Sequence, residues 1–162
     1  MKPKTEDATA RASSDSPGRL LAIDLGAKRV GVAVCDELRI SVRPLPVIER
    51  RSWKDFLRRI VALTEKYDVR GLVIGLPLRL DGVEGEAAQD ARALAAKFQR
   101  SLDIPVYLQD ERLTSFEATS DLRSAARSEH EINVAIDSES AALILRDFIV
   151  SKDRLSALET ST

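Results

Sequence analysis

The chain has 162 residues, of which 44% are hydrophobic and 31% are charged, a composition typical of a single water-soluble globular domain. Its 25 Lys and Arg residues nearly balance its 26 Asp and Glu residues, which excludes a general electrostatic attraction to nucleic acid and leaves only local binding. No apolar run approaches the roughly 20 residues of a membrane span, and the single Cys35 excludes an intrachain disulfide and a cysteine metal cluster. We therefore expect a cytoplasmic protein that does not enter a membrane, with Cys35 as a buried apolar residue.

The distribution of apolar residues divides the chain into three parts. Residues 1–18 are small and polar, so they bury too little apolar surface to offset the entropy of ordering, and we expect a disordered N-terminal tail. Residues 19–151 carry the apolar patterns of one folded domain. Residues 152–162 are expected to form a flexible C-terminal tail.

The first two predicted strands form a hairpin that contains an unusual carboxylate. Residues 20–23 and 30–35 are apolar, and the short link over 26–29 suits a hairpin turn. Asp24 therefore lies at the inner end of a buried strand, where an unpaired charge would cost several kcal/mol. Either Asp24 is neutral, paired or bound to a cation, or it caps the turn by accepting hydrogen bonds from the amides of Gly26 or Ala27.

The next two elements are an edge strand and an amphipathic helix. Residues 39–48 alternate between apolar and polar, and Pro44 and Pro46 favour a sheet edge because neither can donate to a strand ladder. Ser52 is expected to cap a helix with an apolar stripe that should pack on the sheet, formed by Trp53, Phe56, Leu57, Ile60, Leu63 and Tyr67.

The remaining residues predict further strands and helices in alternation. Residues 71–77 form a nearly all-apolar strand typical of an interior position, followed by a glycine-containing loop, a helix over 86–101 and a fifth strand over 105–109. Thr114 and Glu117 have the spacing of a capping box that begins another helix, residues 127–133 read as a loop, and residues 134–151 form the last helix. This order predicts an α/β domain with a five-stranded mixed sheet flanked by helices.

The last helix supplies a second candidate carboxylate. Asp137 shares a helix face with Ala141 and Phe148, whereas Glu139 points elsewhere and is expected to be a solvated surface charge. Asp137 has a simpler interpretation, in which an acid in the first turn favours the positive end of the helix.

Three carboxylates are expected to converge at one end of this sheet. They are Asp24, Glu111 after the fifth strand and Asp137, and such crowded carboxylates repel one another unless cations lie between them. Oxygen ligands suit Mg²⁺ or Mn²⁺ rather than zinc, and two such ions can promote phosphodiester hydrolysis. The sequence therefore predicts a metal-dependent nuclease.

Four separated motifs resemble the YqgF/RuvX family, and the resemblance extends over residues 20–149. The motifs are DLGAKRVG at 24–31, GLPL with DG and EG over 75–85, DERLTS at 110–115 and the stretch from Asp137 to AALIL at 141–145. The family is described as Holliday-junction resolvases and as nucleases that mature the small-subunit ribosomal RNA precursor. The resemblance implies a ribonuclease-H-like fold, with Asp24, Glu111 and Asp137 as the acidic residues.

The expected partner is structured RNA or branched DNA, and junction resolution would require a symmetric homodimer with two active sites. Basic residues near the predicted cleft are assigned to phosphate binding: Lys28, Arg29, Arg79 and Arg112.

One stretch departs from the family pattern. Family members usually carry basic residues before the last acid, whereas this chain has Glu129 and Glu131 there, which would repel phosphates. A nucleic-acid-binding or ribosome-binding module with weakened catalysis is therefore the alternative function. His130, the only histidine, is expected to be solvated, although it has the chemistry to act on a leaving group. The first hairpin also resembles the phosphate loop of actin-like and sugar-kinase ATPases, but those enzymes need two lobes and this chain has length for one.

Overall fold

A computed structural model describes residues 17–78, 81–110 and 138–152 of the chain. The strands in these ranges are β1 (Arg19–Leu25), β2 (Arg29–Cys35), β3 (Val42–Glu49), β4 (Val69–Leu76) and β5 (Val106–Asp110). The helices are α1 (Trp53–Lys66), α2 (Glu86–Ser101) and α3 (138–152). None of the helices in these described ranges is long and apolar enough to cross a membrane.

The five strands form one mixed sheet in the order β3-β2-β1-β4-β5. β1, β2 and β3 are antiparallel neighbours, whereas β4 and β5 run parallel to β1. The register aligns one row across the whole sheet, formed by Leu45, Val32, Ile23, Ile74 and Leu108. The sheet confirms the predicted five-stranded mixed architecture.

One face of the sheet is covered by α1 and α2. Ser52 caps α1 as predicted, because its hydroxyl accepts a hydrogen bond from the Asp55 amide at 3.1 Å. The Phe98 ring of α2 packs edge-on against Phe56 and Trp53 of α1, with ring centroids 5.3 and 4.9 Å apart. These aromatic contacts join the two helices above the apolar side chains of β1, β2 and β4.

The other face of the sheet is covered by α3. Ala141, Ile144, Leu145 and Phe148 of α3 are all buried against a strand surface that includes Ala22. The predicted apolar face of the last helix is therefore confirmed for its described part. Cys35 belongs to the same layer and is buried as predicted, which raises the pKa of its thiol by desolvation.

The third strand begins three residues later than the sequence predicts, at Val42 rather than residue 39. The reason is local: the Asp36 carboxylate accepts hydrogen bonds from the amides of Ile40 and Ser41 at 2.7 and 2.8 Å, which forms a turn. The Ser41 hydrogen bond is the main cause of a lowered pKa at Asp36. Arg39 lies within this turn with a left-handed φ of 60°, which interrupts strand pairing.

Several predicted segments lie outside the described residues. They are residues 1–16 of the N-terminal tail, the capping box at Thr114 and Glu117, the loop over 127–133 and residues 153–162. At the boundary, Pro17 and Gly18 were predicted to belong to the disordered tail. Their carbonyl oxygens accept hydrogen bonds from the Arg39 guanidinium at 2.9 and 2.8 Å, so both residues contact the turn between β2 and β3.

Candidate active site

Asp24 lies next to the last residue of β1, on the sheet face that α3 covers. Side chains alternate along a strand, so Asp24 shares the face of Leu20 and Ala22, which pack against α3. Its partner across β2 is Gly31, and because Ile23 pairs with Ile74, the next residue of β4 in line is Gly75. Asp24 is half-buried between two positions without side chains, a pattern that indicates close approach of a ligand or another backbone.

The turn after Asp24 is closed by its own main chain. The Gly26 amide donates to the Arg29 carbonyl oxygen at 2.9 Å. A Cβ atom at Gly26 would lie 2.5 Å from that oxygen, so the tight turn requires glycine. The turn-cap interpretation has the amide of Gly26 or Ala27 donating to Asp24, and of these two the Gly26 amide is engaged within the turn.

Arg50 fixes this turn to the rest of the domain. Its amide donates to the Lys28 carbonyl oxygen at 2.8 Å, and its guanidinium donates to the Gly26 carbonyl oxygen at 2.9 Å. The same guanidinium forms an ion pair with Asp90 of α2 at 2.9 Å. No local sequence pattern indicates this role of Arg50, because its side-chain partners lie 24 and 40 residues away.

The strand that precedes Glu111 ends at the same end of the sheet as Asp24. β5 ends at Asp110, which pairs with Leu76, the last residue of β4. Because β1, β4 and β5 are parallel, their carboxyl ends lie at the same end of the sheet. Glu111 is the next residue in the chain. Glu111 itself lies outside the described residues.

The first described residue of α3 is anchored to β3, next to the row of paired residues that contains Asp24. The buried Ser138 hydroxyl donates to the Leu45 carbonyl oxygen at 2.7 Å, and Leu45 lies in the row that contains Ile23. Asp137 immediately precedes Ser138 in the chain and also lies outside the described residues. No local pattern indicates this anchor, because a serine within a helix gives no sign of a partner 93 residues away.

The predicted phosphate-binding residues are only partly described. Lys28 is exposed in the turn and Arg29 is half-exposed at the start of β2, opposite Glu49. Arg79 and Arg112, like His130, lie outside the described residues.

Glu139 forms an ion pair with Arg146 at 3.4 Å with 35% of its side chain exposed, which agrees with its predicted place away from the apolar face. No group of three or more metal-binding side chains occurs within the described ranges, which include only Asp24 of the predicted trio.

Ser138 and Ser140 provide a matched test of how the beginning of α3 is held. Ser138→Ala removes the hydrogen bond to Leu45 and leaves a buried carbonyl oxygen without it, so we expect a loss of about 1–3 kcal/mol. Among the described residues the buried Ser140 hydroxyl has no hydrogen-bond partner, so Ser140→Ala should be neutral or stabilising. Urea unfolding of both variants measures the difference. Equal losses of stability would show that the Leu45 hydrogen bond does not anchor the helix.

The fold defines the class of protein to which the chain belongs. The chain is similar to RuvC of T. thermophilus, solved in complex with a Holliday junction, with a TM-score of 0.50 and 14% identity over 83% of this chain and 96% of that one. The mixed sheet with its flanking helices is a ribonuclease-H-like fold.

Sequence comparison then identifies the family. A family model described as RuvX, Holliday junction resolvase, matches residues 18–151, and the chain belongs to this family. A relative from Anaeromyxobacter sp. (strain Fw109-5), named "Putative pre-16S rRNA nuclease", is 41% identical over 81% of this chain and 96% of its own length. A relative of the same name from Synechococcus sp. (strain ATCC 27144) is 40% identical over 80% of this chain and 87% of its own length. The resemblance inferred from the four motifs is confirmed.

Proposed function

We propose that the protein is a divalent-metal-dependent nuclease whose acidic residues are Asp24, Glu111 and Asp137. The observation that carries the proposal is the position of Asp24: a half-buried carboxylate at the end of an interior strand, between Gly31 and Gly75. Membership of the RuvX family supports hydrolysis of phosphodiester bonds as the reaction.

The donor chemistry around Asp24 fits Mg²⁺ or Mn²⁺. Carboxylate oxygens are the hard ligands that these ions prefer, and neither Gly31 nor Gly75 beside Asp24 carries a side chain. Cys35, the only thiol, lies at the other end of β2, paired with Val42, and so cannot contribute. Two ions held by three carboxylates would orient the attacking water and stabilise the leaving oxygen of a phosphodiester.

The protein's own residues would bind and place the substrate. Strand pairing on both sides of β1 holds the main chain near Asp24, at the carboxyl end of this interior strand, which limits the movement of the carboxylate. Lys28 and Arg29 follow it in a turn that Arg50 secures, so their positive charges would meet the substrate phosphates beside the cut. Arg79 and Arg112 are proposed to extend this phosphate contact.

Two substrates are to be compared directly. The relatives' names favour the precursor of 16S ribosomal RNA, and the family description favours a four-way DNA junction. Cleavage of the ribosomal RNA precursor is expected in the cytoplasm. Resolution of a four-way junction would require a homodimer with two active sites. The deciding experiment incubates the protein with each substrate in Mg²⁺, in Mn²⁺ and in EDTA. We expect cleavage of at least one substrate with metal and none in EDTA; absence of cleavage in every condition would refute the proposal.

A binding module with weakened catalysis is the second candidate, which the acidic residues Glu129 and Glu131 before Asp137 favour. This module would bind RNA or a ribosome and would cut neither substrate. Metal titration by calorimetry, run beside the nuclease assay, separates the candidates. Binding of metal together with cleavage supports the nuclease, whereas nucleic-acid binding without cleavage supports the module.

Nucleic-acid binding should depend only shallowly on salt. The net charge of -1 gives no general attraction, so a few local basic residues must neutralise the phosphates. We expect the slope of log K against log salt concentration to be no steeper than about -6, since each contact contributes about -0.7 to -0.9. Fluorescence anisotropy from 50 to 300 mM salt measures the slope. A steeper slope would mean that a larger basic surface binds the nucleic acid.

A further inference from the structure

A small cavity opens beside the turn that follows Asp24, between the beginning of α1 and the middle of α2. Its volume is about 170 Å³, much larger than the space that one water molecule requires. Its polar lining comes from Arg50, Arg51, Ser52, Trp53, Asp90 and Lys97. Three of these six side chains are cationic and one is anionic, so the cavity is suited to an anion.

Two of the three cations remain available to a ligand. The Arg50 guanidinium is occupied, since it contacts both the Gly26 carbonyl oxygen and Asp90. Arg51 pairs with Glu49 at 3.0 Å, but with 62% and 67% of their side chains exposed this ion pair is weak and readily exchanged. In the described part of the chain, Lys97 makes no ion pair, and its ammonium lies over the Trp53 ring, 5.3 Å from the centroid.

Trp53 determines which part of a nucleic acid the cavity suits. The ring packs against Phe98 at 4.9 Å and against Phe56 at 6.4 Å, and Lys97 lies over it. A nucleic-acid base would have to displace Lys97 in order to stack on the ring. The cation–π contact instead holds the ammonium at the cavity wall, where it favours a phosphate group.

The cavity is joined to the proposed active site through the main chain. The Arg50 amide donates to the Lys28 carbonyl oxygen at 2.8 Å, and Lys28 is four residues after Asp24. Four residues extend over at most about 14 Å, the length of roughly four nucleotides along a duplex strand. Asp24 faces α3 whereas the cavity lies between α1 and α2, so a nucleic acid cut beside Asp24 would extend across the turn, over a path longer than this span, to reach the cavity.

We propose that this cavity binds a backbone phosphate of the nucleic-acid substrate, several nucleotides from the bond that is cut. The inference rests on the proposed nuclease function and extends it, because Arg51 and Lys97 become a second phosphate contact beyond Lys28 and Arg29. Its ligand is a phosphodiester within a chain rather than free phosphate.

The test measures binding without cleavage. In EDTA, a fluorescein-labelled fragment of the 16S ribosomal RNA precursor is titrated with the parent protein and with Lys97→Ala and Arg51→Ala, and anisotropy gives Kd at several salt concentrations. We expect each variant to raise Kd three- to tenfold and to make the salt slope shallower by about 0.7. Arg100→Ala is the control, because Arg100 is exposed on the same helix and does not line the cavity, and its Kd should equal that of the parent. Melting curves establish that all variants are folded.

Trp53 is the only tryptophan, so its emission reports directly on the cavity. Unlabelled RNA should change the emission of the parent and of Arg100→Ala. Inorganic phosphate alone is the second probe: a change with phosphate but none with RNA would indicate a free-anion site and overturn the proposal. Equal Kd values and salt slopes for Lys97→Ala, Arg51→Ala and Arg100→Ala would also overturn it.

The cleavage assay distinguishes a failure of the cavity proposal from a failure of the nuclease proposal. If the parent cuts substrate with Mg²⁺ but the cavity variants bind RNA normally, the cavity proposal fails and the nuclease proposal stands. If the parent does not cut but the variants bind more weakly, the nuclease proposal fails and the cavity remains a nucleic-acid contact.

Discussion

Asp24→Asn is expected to lower Mg²⁺-dependent cleavage by roughly 100-fold or more. The substitution removes one anionic oxygen from a site proposed to hold two dications, and groups that merely orient metal ligands already contribute 10- to 100-fold. The fold should persist, because asparagine has nearly the same shape and Asp24 is only half-buried. Initial rates with a labelled substrate, at several Mg²⁺ concentrations, measure the loss.

Asp110→Asn is the matched control for this variant. Asp110 ends β5 at the same edge of the sheet, but alternation with Val106 and Leu108 puts it on the face that α1 and α2 cover. We expect Asp110→Asn to cut at nearly the parent rate. If Asp24→Asn cuts as fast as Asp110→Asn, Asp24 is not an active-site residue and the proposed site is wrong.

Asp137→Asn is expected to abolish stabilisation by Mg²⁺ as well as cleavage. A ligand that binds only the folded protein stabilises it by about 2.7 kcal/mol at 100 times its Kd, and the loss of an anionic ligand would remove most of this gain. Without metal the variant should be as stable as the parent or more stable, because repulsion between carboxylates is relieved. Thermal unfolding with and without Mg²⁺ measures both effects.

Glu139→Gln is the control, since Glu139 is two residues further along and its exposed ion pair with Arg146 contributes at most about 1 kcal/mol. This variant should keep the full Mg²⁺ response. If Asp137 only favours the helix terminus, Asp137→Asn would instead lose about 0.3–1 kcal/mol and keep its metal response. An Asp137→Asn protein that responds to Mg²⁺ and still cuts would refute the three-carboxylate site.

The elements that could be predicted from sequence are those whose interactions are local. The helix predicted over 86–101 is observed as Glu86–Ser101, because its buried residues recur at helical spacing after a glycine-containing loop. The Ser52 cap depends on an amide three residues away. The third strand was placed three residues too early, since the Asp36 turn competes with strand pairing and leaves only a weak pattern.

Less of the candidate site than of the fold could be predicted from sequence. The residues that lie beside Asp24 depend on how strands from distant parts of the chain align. Asp24 could be identified from a single charge in an apolar run, and the motifs around it indicated the RuvX family. No local pattern indicates that Gly31 and Gly75 lie beside Asp24, since this depends on how β2 and β4 align with β1. The position of Glu111 and Asp137 relative to Asp24 stays a prediction.

The sequence by itself determined the α/β class, the family and the apolar faces of the helices, because these follow from spacing along the chain. Tertiary structure decided which residues that are distant in the chain come into contact. Arg50 ties the turn after Asp24 to Asp90, and Ser138 anchors α3 to the main chain of β3, 93 residues away. Such contacts leave no periodic trace, because their geometry exists only after the sheet has set the strand order and register.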